Sequence, residues 1–342
     1  VISRVRVQGY KCLEDVEVRL GPFNVLIGLN DAGKSSFMQA VAEPSRALLR
    51  RQPTDVHRVS AGGFTVELEG ETGTLTHDAS HFHAPKFAPP EGRQEQLSFL
   101  SQQQAAYWFG KHPDLASTDP VALDPGPIAS DSPATHARLD HFVSSRGAGT
   151  AAHLAALALG DRDRFNAVEA ATREVTRGRI RSIVVKDLGG STYALAFKLV
   201  DGTVVPAAEM SQGILLFVGF QALIQRDPIA GVLLIEEPER GLHPRRLFEL
   251  VATLRGMSQH GTQVILTTHS PDLLNACQPS EVRIFHRPEP ESPTEVHMLP
   301  PDFEYRASAQ PLGHLWAARG EEGLLVRGEA PGDSALLVDA SD

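Results

Sequence analysis

The chain opens with short alternations of apolar and polar positions. Residues 2–7 alternate, 9–13 turn, and 16–20 alternate again before Gly21 and Pro22, a pattern that predicts a β-hairpin. Residues 23–27 are an apolar run, and 64–68 and 74–76 read as two more strands around a turn at 71–73. Helical spacing follows residue 34. That helix is expected to end near Pro44 or to resume as far as Arg51, with Arg46, Arg50 and Arg51 on a solvated end. Between Pro85 and Pro133 eight prolines interrupt the pattern, apart from 94–109, which reads as a helix; such a stretch suits an insertion rather than a core. Residues 149–177 return to helical spacing through Leu154, Leu157, Phe165, Val168 and Val175, with a break at 161–163. Strands are expected at 182–185, 193–200 and 203–205, then an apolar helix at 214–224 and a doubly buried strand at 231–235. A helix through Leu247, Leu250 and Leu254, a last apolar strand at 262–266 and a final helix at 311–316 complete the pattern.

Composition narrows the class without naming it. The 342 residues are 42% hydrophobic and 22% charged, enough for a sizeable core, and no apolar run approaches the length of a bilayer span. Cys12 and Cys277 stand far apart with no C-x-x-C spacing, so neither a disulfide framework nor a zinc site is expected, and a cytoplasmic location follows by default. His77, His81 and His83 lack a completing Cys or acid and read as surface-loop residues. A net charge of −10 argues against a broadly basic surface, while Arg173, Arg177, Arg179 and Arg181 leave a local patch that reads as a solvated face before it reads as a phosphate contact.

Chemistry enters at Gly28-Leu29-Asn30-Asp31-Ala32-Gly33-Lys34-Ser35, which fits G-x-x-x-x-G-K-[ST] between a strand and a helix. Glycines let backbone N–H groups wrap phosphate oxygens, a lysine reaches the β- and γ-phosphates, and a hydroxyl holds Mg²⁺. The strand at 231–235 runs into Glu236, Glu237, Pro238 and Glu239. At the carboxyl end of a strand beside a phosphate loop, the first acid is placed to hold the metal and the second to orient or deprotonate the attacking water. Glu237 and Glu239 also have a bland reading as cap and turn acids. His269 follows the last strand, where a histidine can meet a γ-phosphate or simply be a satisfied loop residue. Its neighbours Ser270 and Asp272 do not make a hydrolase triad, since sequence neighbours rarely assemble in that geometry. Ser211 and Gly213 stand at a helix N-terminus that favours an anion.

The order of these motifs, with Met210-Ser211-Gln212-Gly213, Gly241-Leu242-His243-Pro244 and Thr267-Thr268-His269-Ser270, resembles ABC-class ATPases. Within that class the chain is similar over residues 1 to 300 to bacterial AAA-family ATPases related to the OLD, RecF, Rad50 and SMC heads. The resemblance implies ATP and Mg²⁺ as ligands, a loop from Asn30, Asp31, Ala32 and Gly33 to Lys34, Ser35 and Ser36 around the phosphates, Ser35 and Glu236 on the metal, Glu237 as catalytic base and His269 on the γ-phosphate. It also implies that Ser211 and Gly213 meet the ATP of the opposite subunit, in a homodimer closed on two nucleotides. Three departures stand out: Glu236 replaces the more usual Asp, no Q-loop glutamine can be assigned among Gln94, Gln96 and 102–104, and the signature is shorter than the transporter form. OLD relatives carry a Toprim nuclease after the ATPase, yet Arg327 stands where its metal-binding Glu belongs, so nuclease activity by this chain alone is not expected.

The expected fold is α/β, an ABC-type P-loop NTPase head with a mixed sheet, N-terminal antiparallel strands and a helical or irregular lid insertion. The expected division is a first part of the core at 1–77, the lid at 78–178, a second part of the core at 179–300 and a tail at 301–342. The expected activity is ATP hydrolysis coupled to a dimeric switch, in DNA-linked or antiphage processes, acting through a nuclease or toxin effector and with DNA as a candidate partner. A nucleotide-gated scaffold with slow turnover is the alternative, and an ABC transporter motor is disfavoured because no membrane segment is seen.

Overall fold

The computed structural model describes residues 1–49, 63–79, 85–97, 102–117, 120–133, 144–225, 231–289, 291–299, 303 and 310–325. Strands β1 (Ile2–Tyr10) and β2 (Leu13–Arg19) form the expected hairpin, and β3 (Phe23–Ile27) leads through the glycine loop into α1 (Lys34–Leu49). Pro44 lies inside α1, so the helix continues through the proline. Strands β4 (Thr65–Gly70), β5 (Gly73–Asp78), β6 (Lys86–Ala88) and β7 (Glu95–Gln96) extend the hairpin into a six-stranded antiparallel sheet of order β2-β1-β4-β5-β6-β7. Alternation sets its register: Val5 faces Val18 and Leu68 in the ladder and is buried. On the other face Arg4 reaches Glu69 at 2.7 Å and Glu67 at 2.9 Å.

Next come α2 (Gln102–Lys111), α3 (Pro125–Ala129), β8 (Ser132–Pro133), α4 (Thr150–Gly160) and α5 (Arg162–Val175). A small sheet of β9 (Ile180–Gly189), β10 (Thr192–Leu199) and β11 (Val204–Pro206), with β8 on β10, precedes α6 (Gln212–Ile224). Strand β12 (Val232–Glu236), α7 (Pro244–Gln259), β13 (Gln263–Thr267), α8 (Pro271–Leu274), β14 (Val282–His286), β15 (Glu295–Met298) and α9 (Leu312–Leu325) complete the described elements. The central sheet runs β12-β13-β3-β14-β15, parallel except for β15.

Both faces of this sheet are covered, which is why β3 and β13 are buried at every position. Val25, Ile27, Ile235 and Leu266 face one core with α4 to α7 and α9, while Leu26, Leu234, Ile265 and Phe285 face a second with α1 and the antiparallel sheet. Because β3, β12 and β13 are parallel, the loops after them emerge at one sheet edge, the place where such sheets bind ligands.

The stretch expected as an insertion takes part in this framework. Leu123, Ile128, Leu154, Phe165 and Val168 lie in the first core, and β6 and β7 finish the antiparallel sheet. Val121 N–H donates to the Leu234 carbonyl at 2.9 Å and the Val121 carbonyl accepts from Glu236 N–H at 2.7 Å, so a proline-bounded strand-like segment borders β12. Its two isolated bridges leave no periodicity for a sequence to show. The helix expected at 94–109 is instead β7 followed by α2. His77 is not a surface-loop residue: it sits on β5 at 6% exposure, edge-on to Phe64. Arg50, Arg51, His81, His83 and Arg327 lie outside the described residues.

Candidate functional site

Tight backbone geometry builds the glycine loop. Gly28 has φ +145°, and a Cβ there would lie 2.2 Å from the Phe285 carbonyl oxygen; Gly33 has φ +102°, and its Cβ would crowd Leu13, Thr294 and Cys12. Asp31 takes a left-handed φ of 67° without being glycine. Phe37 N–H then closes the first helical turn on the Gly33 carbonyl at 2.8 Å. Lys34 is 6% exposed, and its Nζ donates to the Gly28 and Leu29 carbonyls at 2.7 and 2.8 Å. Burial lowers its pKa to about 8 against the pull of nearby acids.

The strand ends facing this loop carry the acids. Glu236 ends β12 with Oε1 buried and without a partner, and Ser35 is exposed at the start of α1. Glu237 is held at a left-handed φ of 45°, its N–H bonded to the Thr267 carbonyl at 3.0 Å. Its carboxylate pairs with Arg240 Nε at 3.0 Å and stands 3.8 Å from His269 Nε2. Glu239 takes the structural role that the sequence left open for it: Oε1 accepts from Thr268 Oγ1 and from His269 N–H, both at 2.8 Å. Burial raises the Glu239 pKa, while burial and the charge of Lys34 lower that of His269 and favour its neutral form.

Asn30, Asp31, Ala32, Gly33, Lys34, Ser35 and Ser36 line one cavity of about 990 Å³ together with Glu237, Thr267 and His269. Lys11, Cys12, Arg287 and Glu289 line it as well. Glu236 does not line it. Ser211 and Gly213 are not brought to this cavity; they line another of about 570 Å³ with Arg177, Arg179, Gly241 and His243. Ser211 is the N-cap of α6, is exposed, and makes no side-chain cap bond, so its hydroxyl is uncommitted to the helix. A Cβ on Gly213 would lie 2.7 Å from the Gly241 carbonyl oxygen, which explains the glycine.

The metal expectation has a physical test in these groups. Mg²⁺ is usually held by one or two protein oxygens, with phosphates and waters completing the shell. A half-buried acid with one orphaned, buried oxygen at the end of β12 and an exposed serine hydroxyl at the start of α1 fit that donor set. Among the described residues no group of three or more His, Cys, Asp or Glu could hold a metal, as an all-protein cage would require. Sequence reasoning missed Glu321, a carboxylate on α9 that is 6% exposed and acts on both Lys34 and His269. Its approach depends on a helix that folds back from beyond the motifs, and no local pattern marks it.

Comparison with known proteins agrees with the arrangement. Residues 23–275 match the family described as "AAA domain, putative AbiEii toxin, Type IV TA system", and residues 1–42 match an AAA ATPase domain family. The OLD nuclease of Thermus scotoductus is 37% identical over 41 residues, a stretch that spans 12% of this chain and 8% of that protein. An SMC head bound to the C-winged helix domain of ScpA superposes with a TM-score of 0.54 at 12% identity, covering 89% of this chain and 99% of that one. A Pyrococcus furiosus Smc head domain with an extended coiled coil, bound to the C-terminal domain of ScpA, gives 0.55 at 11% identity, covering 90% and 98%. No described helix is long and apolar enough to cross a membrane. With that family's model matched over residues 23–275, most of the chain, the chain belongs to this AAA-domain family, and its fold is that of the SMC heads.

Proposed function

We propose that this chain hydrolyses ATP to ADP and phosphate in the cavity of Lys34, Glu237 and His269, and that two copies close on the nucleotides to complete each site. The observation that carries the reading is the division of the motifs: the loop, base and histidine share one cavity, while Ser211 and Gly213 line another. On binding, Lys34 exchanges the Gly28 and Leu29 carbonyls for β- and γ-phosphate oxygens. The loop N–H groups from Asn30 to Ser36 cradle the phosphates. Ser35 and Glu236 would hold Mg²⁺, which neutralises charge developing on the β- and γ-oxygens. Glu237, released from Arg240, orients a water and takes its proton as the water oxygen bonds to γ-phosphorus and the bond to the β–γ bridging oxygen breaks. Neutral His269 donates to the γ-phosphate. Ser211 and Gly213 of the second copy supply hydroxyl and N–H donors from the other side.

In this reading the 78–178 stretch is an insertion built onto the head whose segments also fill part of the core. Dimer closure is the output, in DNA-linked or antiphage processes, with a nuclease or toxin as the effector; the toxin system named for the matching family and the OLD nuclease relative support that direction. A slow scaffold is the second reading, favoured by the Glu237–Arg240 pair that occupies the base. Turnover and size in ATP separate them. Wild type is expected to turn over and dimerise, and Glu237→Gln to dimerise while losing about 10²-fold or more in turnover. Unchanged turnover in Glu237→Gln removes the base assignment. DNA that neither binds nor alters turnover at low salt removes the direct DNA contact.

A further inference from the structure

The two cavities differ in charge. Around the phosphate loop Lys11, Lys34 and Arg287 are matched by Asp31, Glu237 and Glu289, three cations against three acids. Arg177, Arg179, Arg246 and His243 line the cavity of Ser211 and Gly213, with no Asp or Glu among its described lining residues, in a chain of net charge −10. Arg246 is already committed: its guanidinium donates to Glu249 at 2.7 Å and to the Val175 carbonyl at 3.2 Å. That second bond ties α7 to the end of α5, where the chain turns sharply. Arg177 N–H donates to the Glu174 carbonyl at 3.0 Å and Gly178 N–H to that of Arg173 at 2.8 Å, with φ 52° at Arg177 and 78° at Gly178. Glycine or asparagine is the usual left-handed residue past a helix end, so the strain of an arginine there points to a side chain kept for its chemistry. The Arg173 guanidinium braces the turn on the Arg181 carbonyl at 3.0 Å. Arg177 and Arg179 are exposed, and neither side chain has a hydrogen-bond or ion-pair partner among the described residues.

We propose that Arg177 and Arg179 bind the triphosphate held by Lys34 of a second copy, so that the nucleotide itself supplies the charge that draws two copies together. The inference rests on the dimer reading and adds two residues to Ser211 and Gly213. Before nucleotide arrives, the balanced first cavity offers the arginines little net charge. A triphosphate leaves that face anionic even with Mg²⁺, and a guanidinium meets phosphate oxygens through parallel N–H donors. A concave cavity with an uncommitted serine hydroxyl suits a compact triphosphate better than the continuous backbone of a nucleic acid. In a two-fold dimer each copy gives one such cavity and meets one, so the contact forms twice. Closure and affinity are linked reciprocally: the arginines tighten ATP in the dimer and leave the affinity of the single chain alone. Attraction between exposed charges also weakens as salt rises.

Analytical ultracentrifugation with a slowly hydrolysed ATP analogue and Mg²⁺ tests it. Wild type is expected to dimerise, and to do so more weakly as salt rises. The double variant Arg177→Ala/Arg179→Ala is expected to bind the analogue as a dilute single chain within about twofold of wild type, which also shows that it folds, while its dimerisation weakens by about tenfold or more and loses most of its salt dependence. Arg177→Lys/Arg179→Lys keeps the charge and is expected to restore part of that loss. Unchanged dimerisation in the double-alanine variant overturns the proposal, as does a loss that the lysine pair does not lessen. If the double-alanine variant instead loses duplex DNA at low salt with its dimerisation intact, the arginines serve nucleic acid and the proposal falls. A wild type that binds the analogue and stays single overturns the dimer reading and the proposal with it, and this control tells the two failures apart.

Discussion

The cavities around the P-loop and around Ser211 are both built at the N-terminus of a long helix, α1 in one case and α6 in the other, yet they are finished to different degrees. At the P-loop most groups are tied to one another: Lys34 is buried on its own loop carbonyls, Glu237 is paired, and Glu239 pins the turn that carries His269, while Glu236 keeps one buried oxygen without a partner. At Ser211 the cap hydroxyl is uncommitted and exposed, with Arg177 and Arg179 exposed around it. The difference teaches that one wall is braced from within while the other, in the proposed dimer, is the surface a second copy would meet.

Removing the most committed group gives the largest expected effect: Lys34→Ala should weaken nucleotide binding by about 10³-fold by titration calorimetry, since it deletes the buried cation. Ser211→Arg should leave nucleotide affinity of the single chain within about twofold and reduce turnover by about 10²-fold, because each site then lacks the hydroxyl donor of the second copy. Equal losses in binding for both variants would erase the distinction between the walls. Glu239→Gln keeps its size but weakens its bonds to Thr268 Oγ1 and His269 N–H, so a tenfold or so lower kcat with unchanged nucleotide affinity is expected from steady-state kinetics.

The effect that is silent at neutral pH concerns the core behind the P-loop. His77 lies in the same core as Phe37 and Met38 of α1, and burial lowers its pKa to about 4. The folded value lies below the unfolded one, so the unfolded chain binds the extra proton. Stability contributed by neutral His77 is therefore present at pH 7, is lost progressively from about pH 6.5 to 4, and amounts to on the order of 2–3 kcal/mol. Denaturant midpoints across this range check it, and His77→Leu should flatten the slope.

Much of the nucleotide wall was legible in the sequence because its chemistry is local. The loop, Glu236, Glu237 and His269 each follow an apolar run whose length and composition announce a buried strand, and parallel pairing brings the three loops to one edge. The loop, Glu237 and His269 line one cavity and Glu236 does not, while their catalytic roles rest on the proposed chemistry. What stayed hidden depends on long-range contacts. Val121 borders β12 through single bridges, and His77 is buried by a sheet that closes around it. Prolines at 85–133 gave no hint that the segment would fill the edge of the core.

The central claim is that an active site takes Lys34 from one copy and Ser211 from another. Mixing purified Lys34→Ala with Ser211→Arg, each inactive alone, tests it directly by ATP turnover. In a mixed dimer one site joins an intact Lys34 to an intact Ser211, so an equimolar mixture should regain about a quarter of wild-type turnover, half the dimers being mixed and each holding one whole site. No recovery on mixing, or full turnover by Ser211→Arg alone, would contradict the account.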